Sequence, residues 1–275
     1  MKRLRGWFLA SAGVLVVTNV VAPLAIVCVY SIMTRGAYGG VERPFTAENY
    51  LRLWDPLYGA ILWRSFWVAA ISTAICLVLG FPLAMFIARS GAKRNLYLSL
   101  VILPFWTSFL IRTYAWMFLL RDTGLINTAL QGLGIIHAPL PMLYNDGAVI
   151  LGLVYGFLPF MVLPLYAILE RLDPSLIEAA ADLGARPRET LLRVILPLCA
   201  PGIRAGAILV FVPCLGTYLT SDLLGGSKTI LIGNLVQNQF TAARDWPFGA
   251  AASLILMLAA TAMLFAARRS GEELL

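Results

Sequence analysis

Apolar residues fall along this chain in six long runs, at 7–32, 63–88, 96–119, 148–169, 201–219 and 248–267, separated by polar segments. Runs of about twenty apolar residues match the thickness of a bilayer's hydrocarbon core, so each is predicted to be a transmembrane helix. The chain is thus read as an all-α integral membrane protein with six transmembrane helices. Proline punctuates the runs at Pro23, Pro82, Pro104, Pro159, Pro164 and Pro213. Neighbouring helices re-satisfy the carbonyls that proline frees in a membrane, so these positions predict kinks rather than helix ends.

The polar segments differ in character. Residues 34–62 carry Arg35, Glu42, Arg43, Glu48, Arg52 and Asp55, and Thr46 is placed to cap a short amphipathic helix through Tyr50, Leu51 and Trp54. Residues 89–95 form a short basic loop, and 120–147 and 220–247 are longer and rich in turn formers. The segment 170–200 stands apart. Asp173 and Pro174 signal a helix start, and good helix formers follow to Leu183. Gly184 suits a left-handed C′ position. Pro187 then opens a second helix, with Glu189 in its first turn, and Pro197 and Pro201 are predicted to end it. The first helix spans about 15 Å at 1.5 Å per residue, too short to cross a bilayer.

Composition sharpens this picture. Of 275 residues 60% are hydrophobic and 13% charged, and the mean hydropathy is +0.83. A soluble domain carries about a quarter charged residues, which excludes that class. The net charge of +7 does not mark a nucleic-acid binder, because the basic residues flank apolar spans instead of forming one patch. Lys2, Arg3 and Arg5 precede the first run, and Ala10-Ser11-Ala12 imitates a signal cleavage site. That run continues to Ile32, so an uncleaved first helix is expected. Lys and Arg concentrate at the amino terminus, in 89–95, in 170–200 and at Arg268 and Arg269. The positive-inside rule therefore puts both termini and the 170–200 segment in the cytoplasm.

No catalytic constellation is present. Cys28, Cys76, Cys199 and Cys214 form no CxxC pair and read as small buried hydrophobes. His137, the chain's one histidine, has no second metal ligand near it in sequence. Gly225-Gly226-Ser227-Lys228-Thr229 lacks the order of a phosphate loop and reads as a tight turn. Gly152/Gly156 and Gly202/Gly206 are small-xxx-small pairs that let helices approach closely, within the bundle or against another subunit. Arg112 is the one charge well inside a run. It either faces protein or water with a functional role, or snorkels outward and pairs with Asp122 or Asp222.

Glu178-Ala179-Ala180, three residues, Gly184, nine residues, Val194, one residue and Leu196-Pro197 resembles the cytoplasmic "EAA" loop of the membrane subunits of binding-protein-dependent ABC importers. The family pattern has Ile where Val194 stands, and its members tend to carry a capping Ser where Arg186 stands. The resemblance implies a type I ABC importer (MetI-like) transmembrane domain: a first helix and outer loop over 1–62, a five-helix core over 63–267 and a cytoplasmic tail over 268–275. Within 170–200 it implies that Glu178, Ala179, Ala180, Asp182, Leu183, Gly184 and Pro197 couple the chain to an ATPase. Glu178 would supply a polar contact, Ala179 and Ala180 close approach, and Gly184 the bend. Periodicity alone favours reading Glu178 and Asp182 as an ordinary solvated face.

A narrower likeness, to spermidine/putrescine permeases, rests on Asp55-Pro56-Leu57-Tyr58, on the run from Leu103 to Tyr114, on Gly152-Leu153-Val154-Tyr155 with Leu158-Pro159-Phe160-Met161, on Ser221 to Gly226, on Ile232-Gly233-Asn234, and on Asp245 to Ala251. It implies a polyamine as substrate. Relatives that carry other organic cations, opines or small acids keep much of the pattern. Aromatic faces and carboxylates stabilise ammonium groups, so Trp106, Tyr114, Trp116, Tyr155, Asp222 and Asp245 are candidates for the substrate pathway, to which Arg112 is added as the charge inside a run. The implied partners are a second, similar membrane subunit, two cytoplasmic ATPases holding ATP and Mg, an extracytoplasmic binding protein touching 34–62 and 220–247, and the lipid of a bacterial inner membrane. No nucleic acid is expected, and this chain itself binds no cofactor. The rival class is an ion-coupled secondary transporter, which would need an acid in mid-span; Glu170 and Asp222 lie at span edges.

Overall fold

The computed structural model describes residues 14–15 and 17–272. The predicted stretch 7–13, with Lys2, Arg3 and Arg5, lies outside them. The chain divides into two compact units, one of residues 1–61 and 233–263, the other of 62–232 and 264–275.

In the first unit a π-helical turn, Val17–Val21, leads into α1 (Ala22–Ser31). Pro23 lies in the first turn of α1, where its missing donor costs little, directly after the π turn. The segment predicted as a polar loop is built. β1 (Met33–Arg35) pairs antiparallel with β2 (Val41–Phe45), and Thr34 faces Glu42. Glu48 N–H donates to Thr46 Oγ1 at 3.1 Å as α2 (Glu48–Arg52) begins, so Thr46 starts the short helix as expected. Buried Asn49 holds α2 on the end of α1, donating to the Ser31 and Met33 carbonyls at 3.0 and 2.8 Å.

The hairpin grips the turn ahead of the last helix. Arg35 donates to the Ala243 carbonyl at 2.7 Å and Gly40 N–H to that of Arg244 at 3.0 Å. Asp245 is 1% exposed, pairs with Arg52 at 2.8 Å and accepts from Phe248 N–H at 3.2 Å. Arg52 also lies 4.4 Å over the Phe248 ring. Asp245, predicted for the substrate pathway, is thus committed to an ion pair and a helix start. Arg52→Ala would leave its carboxylate buried without a counter-charge and is expected to cost about 3 kcal/mol. Scanning fluorimetry of the purified complex should show a clear fall in melting temperature, with Arg52→Lys losing less; an unchanged melt would contradict this.

Helix α3 (Pro56–Ala88) starts seven residues before the predicted span at 63, because Asp55 Oδ1 caps Leu57 N–H at 2.8 Å and Pro56 tolerates the first position. Pro82 lies inside it without ending it. In the second unit the span at 96–119, expected to kink at Pro104, is broken outright. α4 (Arg94–Ile102) passes into a 3₁₀ turn, Leu103–Trp106, and after extended Thr107 and Ser108 the chain re-enters α5 (Phe109–Leu120). With α6 (Leu125–Gly132) these pieces form a pair bent by 88°. Pro104 lacks the donor that would continue the helix, and where the turn ends the Thr107 hydroxyl donates to the Pro104 carbonyl at 2.7 Å.

Asn145 caps α7 (Asp146–Leu169) by accepting from Ala148 N–H at 2.9 Å. This helix is the unit's core; Val149, Leu153, Met161, Val162 and Leu165 are fully buried on it. The motif segment follows as α8 (Pro174–Asp182), α9 (Pro187–Thr190), a π turn at Leu191–Ile195 and α10 (Leu196–Leu198). The second motif helix ends at Leu198, between Pro197 and Pro201 as expected, after a π turn just before Pro197. The break lies at Cys199, where the chain turns 69° into α11 (Ala200–Gly216).

Both small-xxx-small pairs pack inside this chain. A Cβ at Gly152 would meet Leu224 and Thr220, at Gly156 Phe109, at Gly202 the Pro164 carbonyl and Ile168, and at Gly206 Met161. Beyond α11 the predicted loop 220–247 is largely helical: a π turn Ser221–Gly225, a 3₁₀ turn Gly226–Lys228, and α12 (Ile232–Phe240), which enters the first unit. Thr229 donates to Asp146 at 2.7 Å and Arg64 pairs with the same oxygen at 2.6 Å, so the glycine-serine-lysine-threonine stretch is a structural turn, as read. The last helix, α13 (Trp246–Glu272), runs on through most of the predicted tail.

Among the described residues α3, α7 and residues Trp246–Phe265 of α13 are each long and apolar enough to cross a membrane, the two bent pairs raise the number to five, and Val17–Ser31 is a shorter apolar helix. The five predicted runs from 63 onward fall on the three long helices and the two bent pairs, and of the first run the described residues hold only the shorter helix. Cys76, Cys199 and Cys214 are buried as expected, whereas Cys28 is exposed.

Candidate functional site: the motif loop and an aromatic bed

At the motif loop each local signal takes its expected form. Asp173 accepts from Ser175 N–H at 2.9 Å, and this bond together with the Ser175 hydroxyl holds its carboxyl below the usual carboxylate range. Gly184 has φ +80°. Its N–H donates to the Ala181 carbonyl at 2.9 Å and Ala185 N–H to the Ala180 carbonyl at 3.0 Å, the two bonds of a Schellman motif. Arg186 has no side-chain acceptor with which to cap α9. Glu189 compensates from the other side, its carboxylate accepting from Arg186 N–H at 2.9 Å.

Glu178, Ala179, Asp182 and Pro197 are exposed, and Leu183 is 89% exposed, a large apolar side chain held out at the tip. Ala180, expected to face outward, is 9% exposed and packs inward. Between α8 and the end of α3 lie two open clefts of about 430 and 350 Å³, which share Met85, Arg89 and Ile177 in their walls. Glu178 and Glu170 line the larger. Glu170, at the end of α7, pairs with Arg94 at the start of α4 at 2.6 Å. Both partners are partly exposed, so the pair contributes no more than about 1 kcal/mol and serves to fix where the loop leaves the bundle.

The predicted pathway residues do not gather in one place. Trp116 and Tyr155 meet edge to face, 5.6 Å between centroids. Trp106 is 83% exposed, and Tyr114 and Asp222 are also exposed. Arg112 pairs with neither Asp122 nor Asp222. Its guanidinium lies 4.1 Å over the Phe105 ring and 5.7 Å from that of Phe109, with Nε and Nη1 buried and without hydrogen-bond partners.

Those rings belong to a cluster that sequence reading missed. Phe105 meets Phe160 at 6.3 Å, Phe160 meets Phe157 at 6.1 Å, and Phe157 meets Phe109 at 6.1 Å. The signal was Phe157/Phe160 three apart on one side of α7; Phe105 and Phe109, four apart, flank the break at Thr107–Ser108, which periodicity does not show. Phe109 can lie against α7 because position 156 is glycine, where a Cβ would come within 2.8 Å of its ring. Two unsatisfied buried donors cost about 1–3 kcal/mol each, more than the roughly 0.5–2 kcal/mol that a cation gains over a ring.

Residues 77–270 match the family described as "Binding-protein-dependent transport system inner membrane component". The chain is 44% identical to the spermidine/putrescine transport system permease protein PotB of Haemophilus influenzae over 256 residues, covering 93% of this chain and 90% of that one. It is 47% identical to PotB of Escherichia coli over 245 residues, 89% of each. In fold it is similar to a chain of a bacterial alginate ABC transporter solved with an alginate-bound periplasmic protein, with a TM-score of 0.80 at 16% identity, over 98% of this chain and 94% of that one. The transmembrane fold expected from the motif loop is the one observed. The chain therefore belongs to the family of binding-protein-dependent transport system inner membrane components.

Proposed function

We propose that this chain is a permease subunit of an ATP-driven ABC importer that takes up spermidine or putrescine delivered by an extracytoplasmic binding protein. The observation that carries this reading is identity of 44–47% to two spermidine/putrescine permeases over about nine-tenths of the chain. A second, similar permease completes the pathway, two ATPases hold ATP and Mg in the cytoplasm, and both termini of this chain face the same side as they do. The bacterial inner membrane is the site of action.

In this reading α8 is the coupling helix. It is short, capped at both ends, and joined to the bundle through Glu170–Arg94 and through the rigid turn at Gly184. Glu178 and Leu183 present a carboxylate and an apolar tip to the ATPase. A push on α8 reaches α7 and α11, which pack through Gly202 and Gly206. The bends at Thr107–Ser108 and Cys199 are where such a push re-aims helices without breaking them. Ion-coupled transport is the weaker reading, since Asp146 and Glu170 lie at helix ends and are paired with Arg64 and Arg94.

The test is uptake into proteoliposomes by the full complex with its binding protein. ATP-dependent entry of labelled spermidine, competed by putrescine and not by opines or small acids, is expected. Preference for another solute would overturn the substrate, and ATP-independent uptake would overturn the mechanism.

A further inference from the structure

The geometry points to an organic-cation site in the bed formed by Phe105, Phe109, Phe157 and Phe160, occupied in this conformation by the chain's own Arg112. The identity of the transported cation rests on the polyamine reading; the site does not.

The four rings form an open circuit, 105 to 160 to 157 to 109, and the Arg112 guanidinium spans its gap between 109 and 105. Ring faces carry partial negative charge, so the bed attracts a cation without any carboxylate. Arg112 uses that attraction alone, since its two buried nitrogens reach no acceptor. A guanidinium with unused donors is a poor resident and a replaceable one. An ammonium flanked by methylenes suits phenylalanine faces at least as well. The bed is also reachable: Phe160 is exposed, and the other three rings are half-buried. Two cations cannot share so small an apolar space, because their repulsion is large at low dielectric. Occupancy is therefore exclusive. Arg112 closes the bed when no substrate is present, and an arriving ammonium displaces it.

The test uses the complete complex, both membrane subunits with their ATPases, in nanodiscs without binding protein. Equilibrium dialysis measures binding of tetramethylammonium, putrescine and spermidine. Arg112→Met should bind each cation about tenfold more tightly than wild type, and adding Phe105→Leu should abolish the gain. Equal affinities in wild type and Arg112→Met, or a gain that survives Phe105→Leu, would overturn the proposal. A second measurement needs no variant: the rate at which phenylglyoxal modifies Arg112, read by mass spectrometry, should rise severalfold with saturating spermidine or tetramethylammonium. A rate unchanged or slowed by both cations overturns the site even if the Arg112→Met variant fails to assemble. Failure of the polyamine reading looks different. It appears as absent spermidine uptake by the wild-type complex, while tetramethylammonium still reports on the bed.

Discussion

Gly184→Val is expected to lower ATP-driven uptake by about tenfold or more while the chain still inserts in the membrane. At φ +80° an L side chain costs about 1–2 kcal/mol, and a β-branched one lies at the upper end or beyond. A Cβ at Gly184 would meet nothing within 4 Å, so the cost is backbone strain and not a clash. Relief of that strain breaks the bonds from Gly184 and Ala185 to the Ala181 and Ala180 carbonyls and swings α8 away from α9. Asn tolerates the left-handed region, so Gly184→Asn should keep most of the activity. Uptake, membrane fractionation and co-purification with the ATPase separate these effects. Full uptake by the Gly184→Val variant would contradict a role for this turn.

The second large effect is expected at Gly202. A Cβ there lies 3.0 Å from the Pro164 carbonyl oxygen, which is backbone and cannot move alone, and 2.8 Å from Ile168 Cδ1. Helices in lipid associate through close packing, so Gly202→Leu should drive α11 from α7 at a cost of about 3 kcal/mol. The purified complex should lose its single size-exclusion peak and its uptake. Gly206→Ala should be milder, because its nearest neighbour at 2.7 Å is the flexible Met161 Sδ. Gly216→Ala, with nothing within 4 Å, is the neutral control. A Gly202→Leu complex as stable as the control would show that this packing is dispensable.

The motif loop was legible in the sequence because each of its features has a local cause. Asp173 caps, Pro174 and Pro187 open helices, Gly184 turns the chain, and none of these depends on distant contacts. The long apolar runs were legible too, since hydropathy reports length. It does not report direction, so the kink expected at Pro104 within 96–119 gives no sign of its size, a turn of 88° at Thr107 and Ser108. The hairpin at Met33–Arg35 and Val41–Phe45 was hidden because its pairing depends on Asn49 and on the turn at 241–245, far away in sequence. Asp245 was misjudged for the same reason: a carboxylate beside aromatic residues reads as a ligand until Arg52 is seen against it. Arg112 stands out in the sequence as a charge inside a run, but its partners are rings rather than acids, and four phenylalanines in apolar runs carry little contrast.

The central claim, that α8 faces the cytoplasm and is seated on an ATPase, is tested most directly by cross-linking from position 178. A Glu178→Cys variant, with the exposed Cys28 replaced by Ser, leaves only buried cysteines elsewhere among the described residues. In the assembled complex the new thiol should cross-link to the ATPase subunit. In the chain without its ATPase it should react with a membrane-impermeant maleimide in inside-out vesicles and not in right-side-out ones. Labelling from the outer side, or an assembled complex whose position 178 cross-links to no ATPase, would contradict the account.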